Sequence, residues 1–142
     1  DESESRGLGD VYKRQTLLMH GDLLCSDDVD YLAFRAIAHN PQWQAEMLSK
    51  SLDERRALAK QLRAMSKEAA SNKAEDIMDV NDDTVRSVMQ QHGVTRLIHG
   101  HTHRPCRQPL QNAERIVLGD WNKIGWCLRE QGTSLELCEF SL

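Results

Sequence analysis

The chain has 142 residues, 39% of them apolar, which is enough for one domain with its own core and too few for two. Its 22 acidic residues outweigh 18 basic ones, and the net charge of -4 argues against a general nucleic-acid binder, which needs clustered lysine and arginine. No apolar run approaches the roughly 20 residues of a membrane span, and DESESRGLGD lacks the charged-then-apolar order of a signal peptide, so a soluble cytosolic protein is expected.

Residues 1–15, DESESRGLGDVYKRQ, offer little that could join a core and are expected to be a foreign or disordered leader. The first element follows in TLLMHGD, where Thr16 to Met19 form a short apolar burst closed by His20 and Gly21. Such a run fits a buried strand, with His20 at its carboxyl end. In CSDDVDYLAFRAIAHNP, Ser26 can act as N-cap, with Asp27 and Asp28 in the first turn. Val29, Leu32, Ala33 and Ile37 continue at helical spacing until Pro41 limits the helix.

After a short piece around Trp43, Met47 and Leu48, the sequence SLDE makes a capping box of Ser51 and Glu54. A long helix is predicted from there to about Asn72, with Leu58, Leu62, Met65 and Ala69 as its apolar stripe. Another face carries Arg63, Ser66, Lys67 and Lys73. At about 100° per residue these four fall within roughly 120° of one another, so the ridge can face one anionic ligand. The same side chains equally suit a solvated outer face.

DVNDDTVRSVMQQHGV predicts a further helix, capped near Asn81, ended by Gly93, with Val85, Val88 and Met89 inward. TRLI is a second short strand that runs into RLIHGHTHRP. Three more strands are expected in ERIVLGDW, GWCLRE and SLELCEF, the last two joined by a turn around Gly132. Helices and strands together make the fold class α/β. The four cysteines, Cys25, Cys106, Cys127 and Cys138, are scattered, without C-x-x-C pairing, and are expected to be reduced and mostly buried. The rival reading is a zinc site with Cys25 beside His20 and Cys106 beside His103.

Two strands thus deliver imidazoles at their carboxyl ends, each followed by glycine. Open α/β sheets bind ligands at that edge, and neutral histidine is the commonest protein metal ligand. His20, His101 and His103 are candidates on that ground. LIHGHTHRP also resembles the last metal motif, G-H-x-H, of the calcineurin-like metallophosphoesterases, and MHGD resembles the preceding histidine motif. LRAMSKEAASNKAEDIMDVN and RIVLGDW are similar to the corresponding stretches of one family within them, the UDP-2,3-diacylglucosamine diphosphatases of lipid A biosynthesis. The likeness runs from about Thr16 to Leu142, and the four motifs occur in order.

That resemblance implies a metallophosphoesterase sandwich with a helical insertion, about residues 27–73, as a substrate cap. It implies two manganese ions, with His20 and His101 on one and His103 on the other, and a metal-activated water that splits the diphosphate into UMP and 2,3-diacylglucosamine 1-phosphate. His101 is implied to contact the phosphate under attack, and Asp28, Arg63, Ser66 and Lys73 the rest of the lipid-linked substrate. Ala70 departs from the pattern, where a polar side chain is frequent. His99 is expected to support its loop through a hydrogen bond rather than to bind metal. The implied location is the cytoplasmic face of the inner membrane, as a peripheral protein.

The pattern's earlier motifs, D-x-H, the bridging aspartate of G-D, and G-N-H-D, are not found upstream of His20. Three imidazoles without the bridging carboxylate hold two hard divalent ions poorly. The chain is therefore expected to be the C-terminal half of such an enzyme and inactive alone. Two other readings stay open at this point: a mononuclear zinc hydrolase using His99, His101 and His103, and a non-catalytic domain binding an acidic lipid or sugar phosphate through Arg63, Lys67 and Lys73.

Overall fold

A computed structural model of the chain describes residues 15–71, 77–132 and 134–142. The predicted leader, apart from Gln15, lies outside the described residues, and so does Lys73. The chain divides into two compact units, one of residues up to Cys25 together with Val80–Leu142, the other Ser26–Asp79.

In the first unit, strand β1 (Thr16–Met19) leads through His20 and Gly21 into a short 3-10 helix, Asp22–Leu24. Helix α4 (Asp82–Gln91) precedes β2 (Arg96–His99), followed by β3 (Cys106–Leu110) and β4 (Ala113–Val117). These four strands form one sheet in the order β1-β2-β4-β3, with β1, β2 and β4 parallel and β3 antiparallel to β4. A hairpin of β5 (Ile124–Gln131) and β6 (Ser134–Ser141) makes a second sheet.

The core lies where α4 covers the sheet. Asn81 caps the helix, its side-chain oxygen accepting from the amides of Asp83 and Thr84, and Gly93 ends it at φ 63, as the sequence predicts. Val85 and Met89 then pack on Leu17, Leu24 and Leu97. Trp126 lies against Gly119 and Phe140 against Gly125, where an added Cβ would collide with the rings. The Trp121 indole donates to the Trp126 carbonyl at 2.9 Å. The hairpin is thereby fastened to the loop that follows β4.

The sequence reading departs from the structure twice here. The strand β3 is unpredicted, because Cys106–Leu110 is polar and contains Pro109. Proline is tolerated there because β3 is an edge strand. Of the cysteines expected to be mostly buried, only Cys25 is; Cys106 is exposed and Cys127 and Cys138 are half-buried.

Glu114 of β4 joins two arginines, accepting from Arg96 Nε at 2.6 Å and from Arg107 Nε at 2.8 Å. Burial pushes its carboxyl up, but the hydrogen bonds and charges of Arg96 and Arg107 outweigh this and hold it below the usual carboxylate range. A carboxylate with a lowered folded pKa contributes stability that is fully present above its unfolded pKa and lost as pH falls through the folded one. Thermal unfolding should therefore show an acid-side loss in the wild type that shrinks in Glu114→Gln. At neutral pH that variant should cost about 1.5 to 3 kcal/mol, the range for a hydrogen bond to a charged group.

In the second unit, helix α1 (Val29–Ala38) is followed by α2 (Pro41–Ser49) and α3 (Leu52–Ser71). The cap of α1 is Asp28, accepting from the Tyr31 amide at 3.0 Å, and not Ser26 as predicted. Helix α2 is a full element where the sequence suggested only a short piece. Pro41 starts it at a position where no amide hydrogen is needed, and Asn40 caps it. The capping box of α3 forms as predicted, with the Ser51 amide donating to Glu54 at 2.8 Å. The expected stripe on α3 is only half realised: Leu58 and Leu62 are half-buried, while Met65 and Ala69 are exposed.

Candidate metal centre

Parallel strands end together, so β1, β2 and β4 deliver the turns after Met19, His99 and Val117 to one edge of the sheet. The first two turns are joined directly, the Gly100 amide donating to the His20 carbonyl at 3.0 Å. Gly21 sits at φ 105, while His101 at φ 64 and His103 at φ 53 adopt left-handed backbone without being glycine. Such conformations are costly and collect at functional sites. Here they turn the chain so that His101 Nδ1 lies 3.1 Å from His20 Nε2, with the rings edge to face at 4.9 Å.

The spacing of that pair suits a metal ion. Two imidazole nitrogens each about 2.1 Å from one ion and on adjacent vertices lie roughly 3 Å apart. Beside them, Thr102 Oγ1 is buried and has no hydrogen-bond partner among the described residues. The donor set is nevertheless partial. Among the described residues no three histidine, cysteine or acidic side chains gather to hold an ion, and His103 is exposed. The neighbouring Cys25 is buried, its thiol directed to the Gly21 carbonyl at 3.9 Å.

His99 is buried under this edge. Its Nδ1 is 2.9 Å from the Gly100 carbonyl and its Nε2 3.3 Å from Arg115 Nη1. It braces the loop, as the sequence suggests. With both nitrogens engaged it cannot join His101 and His103 in the mononuclear zinc site considered above. Arg115 is a neighbour of this edge that the sequence does not disclose, since an arginine inside ERIVLGDW carries no spacing signal of its own.

Of the predicted substrate contacts, Asp28 is half-buried with its side chain in the α1 cap, and Arg63 and Ser66 are exposed on α3. All three belong to the second unit, Ser26–Asp79. Lys67, the neighbour of Ser66 on the predicted ridge, is exposed as well, while Lys73 lies outside the described residues, as does the side chain of Ala70.

Among curated proteins, a UDP-2,3-diacylglucosamine hydrolase of Cellvibrio japonicus is 56% identical over 132 residues, covering 90% of this chain. The chain is a homologue of the UDP-2,3-diacylglucosamine hydrolases. Hydrolases of that name from Chromohalobacter salexigens and Salmonella arizonae are both 49% identical, over 135 and 137 residues. The chain spans 55% of the length of the Cellvibrio and Chromohalobacter relatives and 57% of the Salmonella one. No family model matches the chain.

Proposed function

We propose that this chain supplies part of a manganese-dependent diphosphatase that hydrolyses UDP-2,3-diacylglucosamine to UMP and 2,3-diacylglucosamine 1-phosphate in lipid A biosynthesis. The observation that carries the reading is the His20–His101 pair, set 3.1 Å apart at the ends of two parallel strands, in a homologue of proteins named for that hydrolysis. When bound, divalent manganese supplies positive charge against the phosphoryl oxygens and a water of lowered pKa. His20 and His101 would hold one ion and His103 the second, and His101 would also contact the phosphate under attack. Bridging carboxylates are assigned to the part of the relatives' length outside the match. The fold is accordingly read as part of a calcineurin-like sandwich.

The second unit is read as the substrate cap, a helical insertion over about residues 27–73. Its described helices leave the apolar side chains of Val29, Phe34, Ile37, Leu48 and Met65 exposed, available to acyl chains. No helix among the described residues is long and apolar enough to cross a membrane; a peripheral position at the cytoplasmic face of the inner membrane is proposed from the lipid-linked substrate. Asp28, Arg63, Ser66 and Lys73 are the proposed contacts to the glucosamine phosphate.

UMP release from UDP-2,3-diacylglucosamine with manganese tests this reading directly. The chain alone should be inactive, and turnover should appear when the remaining portion of a relative is added as a separate chain. Turnover by the chain alone would show the catalytic groups to be misplaced. In a protein of the relatives' full length carrying this sequence, Arg63→Ala should lower kcat/KM by about 10- to 150-fold, a charge-assisted hydrogen bond's worth. Unchanged kinetics would return Arg63 to the solvated face of its helix.

A further inference from the structure

One imidazole touches both ligand-bearing turns. His99 Nδ1 lies 2.9 Å from the Gly100 carbonyl, just before His101. A Cβ on Gly21, just after His20, would stand 2.7 Å from the same nitrogen. The His99 ring is thus wedged between the turns of β1 and β2, and its orientation sets how far apart they stand.

That orientation has a fixed source. Leu97 pairs with Arg115 and His99 with Val117 in the parallel register, so Arg115 and His99 occupy one face of the sheet as diagonal neighbours. Guanidinium only donates, so with Arg115 Nη1 at 3.3 Å, His99 Nε2 must accept. The ring proton is then on Nδ1, where it donates to Gly100. Arg115 is held in turn by its Nε donating to Gln108 Oε1 on β3 at 2.7 Å. Arg115 is buried, as is His99. A single line of hydrogen bonds therefore runs from the edge strand β3 through β4 and β2 to Gly100 in the turn after β2, whose amide donates in turn to the His20 carbonyl in the turn after β1.

We propose that Arg115 is a positioning residue: by fixing the tautomer and ring orientation of His99, it sets the His20–His101 spacing. The inference rests on the proposed function for its purpose, since that pair is the one assigned to metal, but its geometry stands without metal. Loss of Arg115 frees the His99 proton to move between nitrogens, the Gly100 hydrogen bond is lost in part of the population, and the two turns separate.

The test is nitrogen-15 and proton NMR of the whole chain in the presence of a chelator. The wild type should show His99 as one tautomer, protonated at Nδ1, with a cross-peak between the His20 and His101 rings. Arg115→Met should give averaged His99 nitrogen resonances and lose the cross-peak while the amide signals of α4 persist, and Arg115→Lys, which can still donate, should restore both. If Arg115→Met unfolds the sheet, Gln108→Leu decides, because it releases the Arg115 Nε from its partner and should give the same averaging to a lesser degree. A single Nδ1–H tautomer and an intact cross-peak in a folded Arg115→Met or, failing that, in Gln108→Leu would overturn the proposal. Because the chelator is present throughout, a chain that fails to bind manganese sinks the functional reading and not this one.

Discussion

His101→Ala should abolish manganese-dependent UMP release in a protein of the relatives' full length that carries this sequence, while its thermal midpoint stays close to the wild type. The side chain is half-buried, so its removal empties little core. What it removes is one of two nitrogens 3.1 Å apart, and a single imidazole cannot replace a chelating pair. The backbone offers a control. At φ 64 the residue is in the left-handed region, which glycine adopts at no steric cost. His101→Gly should therefore be as inactive as His101→Ala and no less stable, which separates the lost nitrogen from any change in the turn. Turnover at wild-type level in either variant would remove His101 from the mechanism.

Leu97→Ala should carry the largest cost in stability. Leu97 is fully buried, at 0% exposure, between Leu17 on β1 and the α4 residues Val85 and Met89. Truncating such a leucine forfeits its transfer energy and leaves a cavity that the sheet cannot close, about 2 to 5 kcal/mol in all. Denaturant titration should show a lower midpoint at unchanged slope, the signature of lost stability without a change in exposed surface. The contrast is Leu18→Ala on the other face of β1. Leu18 is 54% exposed, and its removal should cost well under half as much. Equal costs would mean that the core does not lie where α4 meets the sheet.

The elements that sequence reading placed well are those whose signals are local. The box of Ser51 and Glu54, the Asn81 cap and the Gly93 stop depend on backbone amides a few residues away, and each forms as read. Short apolar runs closed by glycine are enough to locate β1 and β2, although burial alternates along both, with Leu17 inside and Leu18 exposed on β1 and Leu97 and His99 inside on β2. Where the deciding partner is distant in sequence, the signal fades. Asp28 displaces Ser26 as cap although both are good capping residues, and nothing local ranks them. Strand β3 exists because β4 offers it an edge, so Pro109 misleads when read alone. The same holds for the candidate metal centre. His20 and His101 stand out by residue type and by the glycines beside them, but Arg115 reaches His99 across two strands and acquires meaning only from that contact.

The two borders of the four-stranded sheet differ in kind. At β3, Pro109 lacks an amide hydrogen and Arg107 is tied to Glu114 and to the Leu135 carbonyl, so that border is finished. At β1, Thr16–Met19 has a neighbour on one side only among the described residues, and its Leu18 stands exposed. Among the described residues the sheet is consequently closed off along β3 and open along β1. Any strand that joins there in parallel brings its own carboxyl end into line with His20 and adds whatever side chains it carries to the row of turns above the sheet. Four residues give such a newcomer few backbone hydrogen bonds, so what docks durably at this border must also bury Leu18.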